Sequence, residues 1–253
     1  MRQVIKIDDA RASLLLKKLN PRNRSIHVSK NARTFTLVEL LIVISIIALL
    51  AALLLPVLKT AKDKGKEILC LNNLRQSGMF VTQYAGDYQE FVFVYTSVPF
   101  EYGWLDNLYR TGYLNLKNRN TIGYCPTYSF IDYGRFWMYG FYSDDEWEAN
   151  NPCPFIRVSG YGFFRKLNRI ASPSKYMFVG DSCVGILSAQ FPTQYWWIGR
   201  NPAGNQGGIH LRHSGGLPQG LMYDGHAAKL PKDALKSTGF QKGFSADGTL
   251  KNL

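Results

Sequence analysis

A single run of apolar residues constrains this chain more than any other feature of its sequence. From Phe35 to Leu58 it reads FTLVELLIVISIIALLAALLLPVL, with Glu39 as its one charged residue and Pro56 as its one proline. About 20 apolar residues are enough for a helix to cross the hydrocarbon core of a bilayer, and this run has no polar face. The sequence therefore predicts a membrane-spanning helix over residues 35–58.

Basic residues are concentrated before this span. Residues 1–34 contain nine Lys or Arg and two Asp, so they supply seven of the twelve net positive charges of the chain. We expect this segment to be a basic leader, and its removal would leave a mildly basic protein for which nucleic acid is not the expected partner. The positive-inside rule favours a cytoplasmic N-terminus, with the remaining chain in the periplasm. Because no A-x-A cleavage site follows the span, we expect the span to stay in the inner membrane in contact with lipid.

Glu39 is an anomaly within this span. An ionisable side chain in an apolar helix is costly and is functional by default. Its place near the start of the helix limits that cost, since a helix N-terminus favours negative charge and the membrane interface is close. Glu39 is therefore expected to be either an interfacial carboxylate or a residue with a specific partner.

The run RTFTLVELL, residues 33–41, resembles the processing motif of type IV prepilins and type II secretion pseudopilins. The resemblance implies that a prepilin peptidase cuts between Thr34 and Phe35 and then methylates the new amino group of Phe35. Glu39 would become the fifth mature residue, which in this family pairs with the terminal amine of a neighbouring subunit. Pro56 matches a proline that kinks the helix of many pilins. The family usually has Gly where this chain has Thr34.

After Pro56, apolar or small residues recur at steps of three or four, which is the spacing of one helical face. They are Val57, Ala61, Gly65, Ile68, Leu71, Leu74, Gly78, Val81 and Ala85. The sequence thus predicts that the helix continues over residues 59–88 as an amphipathic helix that ends near Gly86.

Residues 89–253 show a different pattern, in which short apolar runs are separated by Gly, Pro, Asn and Asp. The clearest runs are FVFVY (91–95), YMFVGD (176–181), YWWIG (195–199) and GLMYDGHAAKL (220–230). Such runs predict strands joined by loops. The expected fold class is α+β, with a long N-terminal helix packed on an antiparallel sheet, as the resemblance to pilins also implies.

Two further segments resemble a pilin-like group found in Planctomycetes and their relatives. One is CLNNLRQ at residues 70–76, and the other is similar to the C-terminal H-X9-DG signature of that group. In this chain ten residues, not nine, separate His213 from Asp224, so a bulge or a longer loop is implied. Asp224 and Gly225 themselves predict a two-residue hairpin turn.

A metal site formed by His213, Asp224 and His226, with His210 nearby in sequence, is the alternative interpretation of the same segment. Imidazole and carboxylate groups are suitable ligands for zinc or nickel. Their spacing matches no established metal motif, so we predict no cofactor and expect the fold to survive removal of ions.

Four cysteines follow the span, namely Cys70, Cys125, Cys153 and Cys183. Their wide spacing excludes a Cys-x-x-Cys motif for zinc or redox chemistry. In an exported domain they are candidates for two disulfides, and four separate buried thiols are the alternative.

The chain contains no nucleophile elbow, P-loop, dinucleotide fingerprint or metalloprotease helix, so the sequence predicts a protein that is not an enzyme. The resemblance implies a filament subunit whose partners are a prepilin peptidase and identical or related pilins. Two alternatives are a membrane-tethered binding or hydrolytic domain, which uses the helix only as an anchor, and a DNA-uptake pilin.

Overall fold

The computed structural model describes residues 36–96, 102–115, 122–127, 138–142, 153, 155–184, 194–195, 197–202 and 207–253. The predicted leader and the predicted cleavage site between Thr34 and Phe35 lie outside the described residues. The chain divides into two compact units, Met1–Leu53 and Leu54–Leu253.

Helix α1 extends from Leu37 to Asp87 and contains Pro56 in its interior. All its residues in the first unit are exposed, as expected for a helix that is apolar on every side. Among the described residues, α1 is the one helix long and apolar enough to cross a membrane. The prediction of a continuous helix ending near Gly86 is therefore confirmed to within one residue.

In the second unit, α1 buries one face against the β-rich domain. Its buried residues are Cys70, Leu74, Ser77, Gly78, Val81, Tyr84 and Ala85. The predicted apolar face is thus correct from Leu74 onward, whereas its earlier members Val57, Ala61, Gly65 and Ile68 are exposed, with Ile68 at 60%. Cys70, Ser77 and Tyr84, one heptad apart, are buried beside these residues, so the contact face is wider than the predicted one.

Two more short helices and a 3₁₀ turn accompany thirteen strands in the described part of the chain. The helices are α2 (Trp104–Arg110) and α3 (Lys232–Ser237), and the 3₁₀ turn is Leu167–Arg169. The strands are β1 (Phe91–Thr96), β2 (Tyr102–Gly103), β3 (Gly140–Tyr142), β4 (Phe155–Val158), β5 (Gly162–Lys166), β6 (Met177–Gly180), β7 (Ser182–Val184), β8 (Trp197–Ile198), β9 (Gly207–Leu211), β10 (Gln219–Met222), β11 (Ala227–Lys229), β12 (Lys242–Ser245) and β13 (Leu250–Asn252).

The described strands form three sheets, with the orders β2-β1-β5-β4, β11-β10-β6-β3-β8 and β13-β12-β9-β7. Most pairs are antiparallel, but β3–β8 and β9–β12 are parallel. The predicted α+β class is confirmed. The sequence predicted one antiparallel sheet, whereas the described strands form three sheets. Two of these sheets divide at Asp181, where two consecutive strands enter different sheets. Strand β6 pairs with β3 and β10, whereas β7 pairs with β9.

Candidate assembly helix and a buried cysteine-histidine cluster

The first turn of α1 is closed by a reciprocal capping box between Thr36 and Glu39. The backbone N–H and the hydroxyl of Thr36 both donate to Glu39 Oε2, at 2.8 and 2.9 Å. The Glu39 backbone N–H donates in turn to Thr36 Oγ1 at 3.2 Å. This is the T-x-x-E arrangement that satisfies exposed N–H groups at a helix start. Sequence reasoning missed it, although the spacing of Thr36 and Glu39 was a readable signal.

The capping box gives Glu39 a partner inside its own helix. Both hydrogen bonds go to Oε2, and among the described residues Oε1 accepts none. The carboxylate is exposed, so Oε1 is accessible to a group outside this chain. The predicted pairing of Glu39 with a neighbouring subunit, and the kink at Pro56, stay predictions.

Glu67 connects the second half of α1 to the β-rich domain through hydrogen bonds and ion pairs. Its carboxylate accepts hydrogen bonds from Lys229 Nζ at 2.5 Å, from Ser214 Oγ at 2.7 Å and from Lys64 Nζ at 3.2 Å. The Gln219 side-chain amide also donates to the Glu67 backbone carbonyl at 3.0 Å. Although partial burial raises the pKa of Glu67, these donors outweigh burial and lower it to about 2.

The four cysteines are all buried, and each is a free cysteine in the structure. Two of them, Cys70 on α1 and Cys125 on the loop 122–127, lie in one cluster with Asp181 and His213. The predicted disulfides stay a prediction.

Asp181 holds this buried cluster together from the junction between β6 and β7. Its Oδ2 lies 3.0 Å from His213 Nε2 and accepts a 2.7 Å hydrogen bond from the Gln219 backbone N–H. Its Oδ1 lies 3.6 Å from Cys70 Sγ and 3.8 Å from Arg212 Nε. The second thiol, Cys125 Sγ, lies 3.7 Å from the same His213 Nε2.

Within this buried cluster, Asp181 is held in its negatively charged form and His213 in its positively charged form. Burial raises the pKa of Asp181, but the Arg212 charge and the hydrogen bond from His213 outweigh it and hold the pKa below its usual value. Burial lowers the pKa of His213, but its hydrogen bonds to Asp181 and Cys125 raise it to about 9.

The two thiols differ in the direction of their shifts. For Cys70, burial and the hydrogen bond to Cys125 both raise the pKa well above its usual value. For Cys125, burial acts upward too, but the hydrogen bond with Cys70, the Arg212 charge and the hydrogen bond with His213 hold the pKa well below the usual value. The cluster therefore favours a thiolate at Cys125 and a neutral thiol at Cys70.

The predicted Asp-Gly turn is present between β10 and β11. The Gly225 N–H donates to the Met222 carbonyl at 3.0 Å, and the Met222 N–H donates to the His226 carbonyl at 2.8 Å. These two hydrogen bonds close a loop of three residues, 223–225, instead of the predicted two. Its last residue, Gly225, has φ +88°. A type I turn needs such a left-handed residue after it to rejoin the strands.

The structure separates the members of the predicted metal set. Asp224 Oδ1 accepts from His226 Nδ1 at 2.6 Å in the exposed turn, whereas His213 is buried with Asp181 and Cys125. His210 is also buried, and its Nε2 is 3.0 Å from the Ser245 carbonyl. Among the described residues, one group of three or more potential metal ligands is found, and it comprises Cys70, Cys125, Asp181 and His213.

Comparison with known proteins places a family motif on the start of α1. The model of the prokaryotic N-terminal methylation motif matches residues 29–55. The type IV wide pilus major component PilA4 of Thermus thermophilus is 43% identical over 58 residues, which are 23% of this chain and 44% of that protein. The chain thus matches less than half the length of that relative. No solved structure matches. This chain therefore carries a prokaryotic N-terminal methylation motif, and over 58 residues it is similar to a type IV pilin.

Proposed function

We propose that this protein is a structural subunit of a type IV pilus-like filament or a type II secretion pseudopilus. The observation that carries the proposal is the position of the methylation motif, which covers residues 29–55 and so includes the apolar, fully exposed first part of α1. A helix that is apolar on all sides needs lipid or other apolar helices around it. Before assembly, inner-membrane lipid would surround this helix, with the β-rich domain in the periplasm. In the filament, helices of identical or related subunits would replace the lipid.

The proposal includes processing of the N-terminus by a prepilin peptidase. Cleavage between Thr34 and Phe35, followed by methylation of Phe35, would leave a positively charged amine four residues before Glu39. Because the capping box uses only Oε2 of Glu39, the accessible Oε1 can accept a hydrogen bond from that amine on a neighbouring subunit. An ion pair of this kind, shielded from water among apolar helices, would fix the register between subunits.

The first test is intact mass and N-terminal sequencing of the full chain coexpressed with a prepilin peptidase. We expect a mature chain that begins at methylated Phe35. The matched control is Thr34→Gly, which restores the residue usual in the family and should be cut at least as efficiently. If both chains stay uncut while a known prepilin is processed, the chain is a membrane-tethered domain and not a filament subunit.

The capping box makes a second test possible, because it separates two roles of Glu39. Gln can accept the same hydrogen bonds from Thr36, so Glu39→Gln keeps the cap and removes only the charge. Thr36→Ala does the reverse. If the charge sets assembly, Glu39→Gln abolishes filaments seen by electron microscopy, and Thr36→Ala still assembles. Normal filaments from Glu39→Gln would refute the pairing of Glu39 with a neighbouring amine.

A further inference from the structure

The buried cluster of Cys70, Cys125, Asp181 and His213 has a property that the proposed filament function does not use. Four potential metal ligands from four separate segments point toward one another, and their ligand atoms all lie within 4.8 Å of one another. The side chains of Asp181 and His213 are 0% and 1% exposed, and both cysteines are buried as well. Buried polar groups need partners, and here two sulfur atoms, a carboxylate and an imidazole find several of their partners in one another.

The separations fit a tetrahedral ion. Bond lengths of about 2.3 Å for Zn–S and about 2.0–2.2 Å for Zn–N and Zn–O place the ligand atoms of a tetrahedron roughly 3.3–3.8 Å apart. Here Cys70 Sγ is 3.6 Å from an Asp181 oxygen, Cys125 Sγ is 3.7 Å from His213 Nε2, and His213 Nε2 is 3.0 Å from the other Asp181 oxygen. The other separations among the four ligand atoms are all within 4.8 Å, so shifts of up to about 1 Å would complete the coordination.

A catalytic cysteine-histidine pair does not account for this geometry. In such a pair the carboxylate orients the imidazole through the ring nitrogen that does not face the sulfur. Here Asp181 and Cys125 approach the same nitrogen, His213 Nε2. One N–H bond points at one acceptor, whereas a cation at the common centre would satisfy both. The sulfur is also buried, so it is not presented to a substrate.

The groups around the cluster fit the needs of metal-bound ligands. The Tyr139 hydroxyl lies 3.0 Å from Cys70 Sγ, and the Thr127 hydroxyl lies 2.8 Å from Cys125 Sγ, so each sulfur has one neighbour able to donate to a thiolate. The Gln219 backbone N–H fixes Asp181. Such outer contacts orient metal ligands and set their basicity.

The charges balance as well. Two thiolates and the Asp181 carboxylate would carry three negative charges. A divalent cation together with Arg212, whose Nε is 3.8 Å from Asp181 Oδ1, would carry three positive charges. A neutral assembly is the arrangement that a buried site tolerates.

We propose that Cys70, Cys125, Asp181 and His213 bind one Zn²⁺ ion in a structural site. Two thiolates with one imidazole and one carboxylate select zinc among the common divalent ions. Four protein ligands fill the tetrahedron and leave no position for substrate, so the ion acts as a cross-link. It joins α1 to the loop 122–127, to the junction of two sheets and to the segment that follows β9. Entry is through a solvent-connected pocket lined by His213, Arg212 and Thr127.

The test uses the full chain purified in detergent under reducing conditions and analysed by inductively coupled plasma mass spectrometry. We expect one zinc per chain after desalting. We also expect that replacement by Co²⁺ gives the intense visible bands and the sulfur-to-metal charge-transfer band of tetrahedral thiolate-bound cobalt. Cys125→Ser and His213→Gln should lose at least nine-tenths of the retained zinc. Cys183→Ser is the matched control, because it removes a buried thiol outside the cluster, and it should retain the ion.

The cobalt spectrum of the unmodified chain decides the outcome even if the cluster variants do not fold. Absence of a thiolate charge-transfer band, with all four thiols available to alkylation after unfolding, would overturn the proposal. A disulfide between Cys70 and Cys125 in protein exported to the periplasm, identified by peptide mass, would overturn it too. If the unmodified chain holds stoichiometric zinc and Cys183→Ser loses it as fully as Cys125→Ser does, the assignment to these four ligands is refuted.

Discussion

Replacing two glycines of α1 by alanine should have opposite effects on stability. A Cβ at Gly78 would lie 2.7 Å from Leu221 Cδ1 and 2.9 Å from the backbone oxygen of Gly225. A Cβ at Gly65, on the same helix, would meet nothing within 4 Å. The helix approaches the β10–β11 turn at Gly78 so closely that a methyl group does not fit.

The two magnitudes follow from this difference. In a helix interior Gly is about 1 kcal/mol less favourable than Ala, so Gly65→Ala should stabilise the protein by about that amount. Gly78→Ala gains the same helix propensity but overpacks the contact, which costs typically 1–3 kcal/mol. The Leu221 side chain can rotate away, but the Gly225 carbonyl cannot move without distorting the turn. The helix-propensity gain cancels between the two variants, and we expect the upper part of the overpacking range, so Gly78→Ala should be less stable than Gly65→Ala by about 2–3 kcal/mol.

Thermal unfolding of the full chain in detergent, followed by circular dichroism, measures this difference. For a domain of this size 1 kcal/mol shifts Tm by roughly 2–4 °C, so the Tm values of the two variants should differ by roughly 4–12 °C. If Gly78→Ala raised Tm as much as Gly65→Ala, the close approach of α1 to Gly225 would be refuted.

Three further predictions concern other contacts of the domain. The pKa of Glu67 is lowered from 4.5 to about 2, so its stabilising contribution is present above pH 4.5 and is lost as the pH falls toward 2. Glu67→Gln should therefore lower Tm at pH 7 and flatten the fall of Tm below pH 4.5, whereas Asp63→Asn, on the exposed side of α1, should do neither. Tyr139→Phe removes the hydroxyl that contacts Cys70 Sγ at 3.0 Å and should lower the unfolding free energy in urea by about 0.5–1.5 kcal/mol; an unchanged value would contradict that contact. His226→Ala should leave metal content unchanged by mass spectrometry, because its imidazole lies in the exposed turn, and loss of metal would favour the set predicted from the sequence.

The regular elements were largely predictable from the sequence. The apolar run and the three-to-four spacing after it gave a helix that ends at Asp87, one residue beyond the predicted end. The alternation of short apolar runs with turn residues gave β1 and β10–β11. The error at Ile68 has a simple cause, since a stripe of apolar residues drifts around a long helix. Only the packing partner decides which part of the stripe is buried.

The buried cluster was not predictable in the same way. Cys70 and Asp181 are 111 residues apart, and Cys125 and His213 are 88 residues apart. No local spacing relates them, so the cysteines suggested disulfides and His213 was grouped with its neighbours in sequence. Asp181 carried no signal, because its role comes from its place where the chain passes from one sheet to another.

The sequence by itself determined the long apolar helix, its capping signal and the methylation motif at its start. These properties depend on side chains within a few residues of one another, and on transfer of apolar surface out of water, which local composition decides. Only the tertiary structure decided which face of α1 is buried and which cationic side chains contact Glu67. It also decided that two thiols, a carboxylate and an imidazole lie in one cluster. Each of those depends on strand order and on contacts between distant segments, which the free energy of the whole packed domain selects.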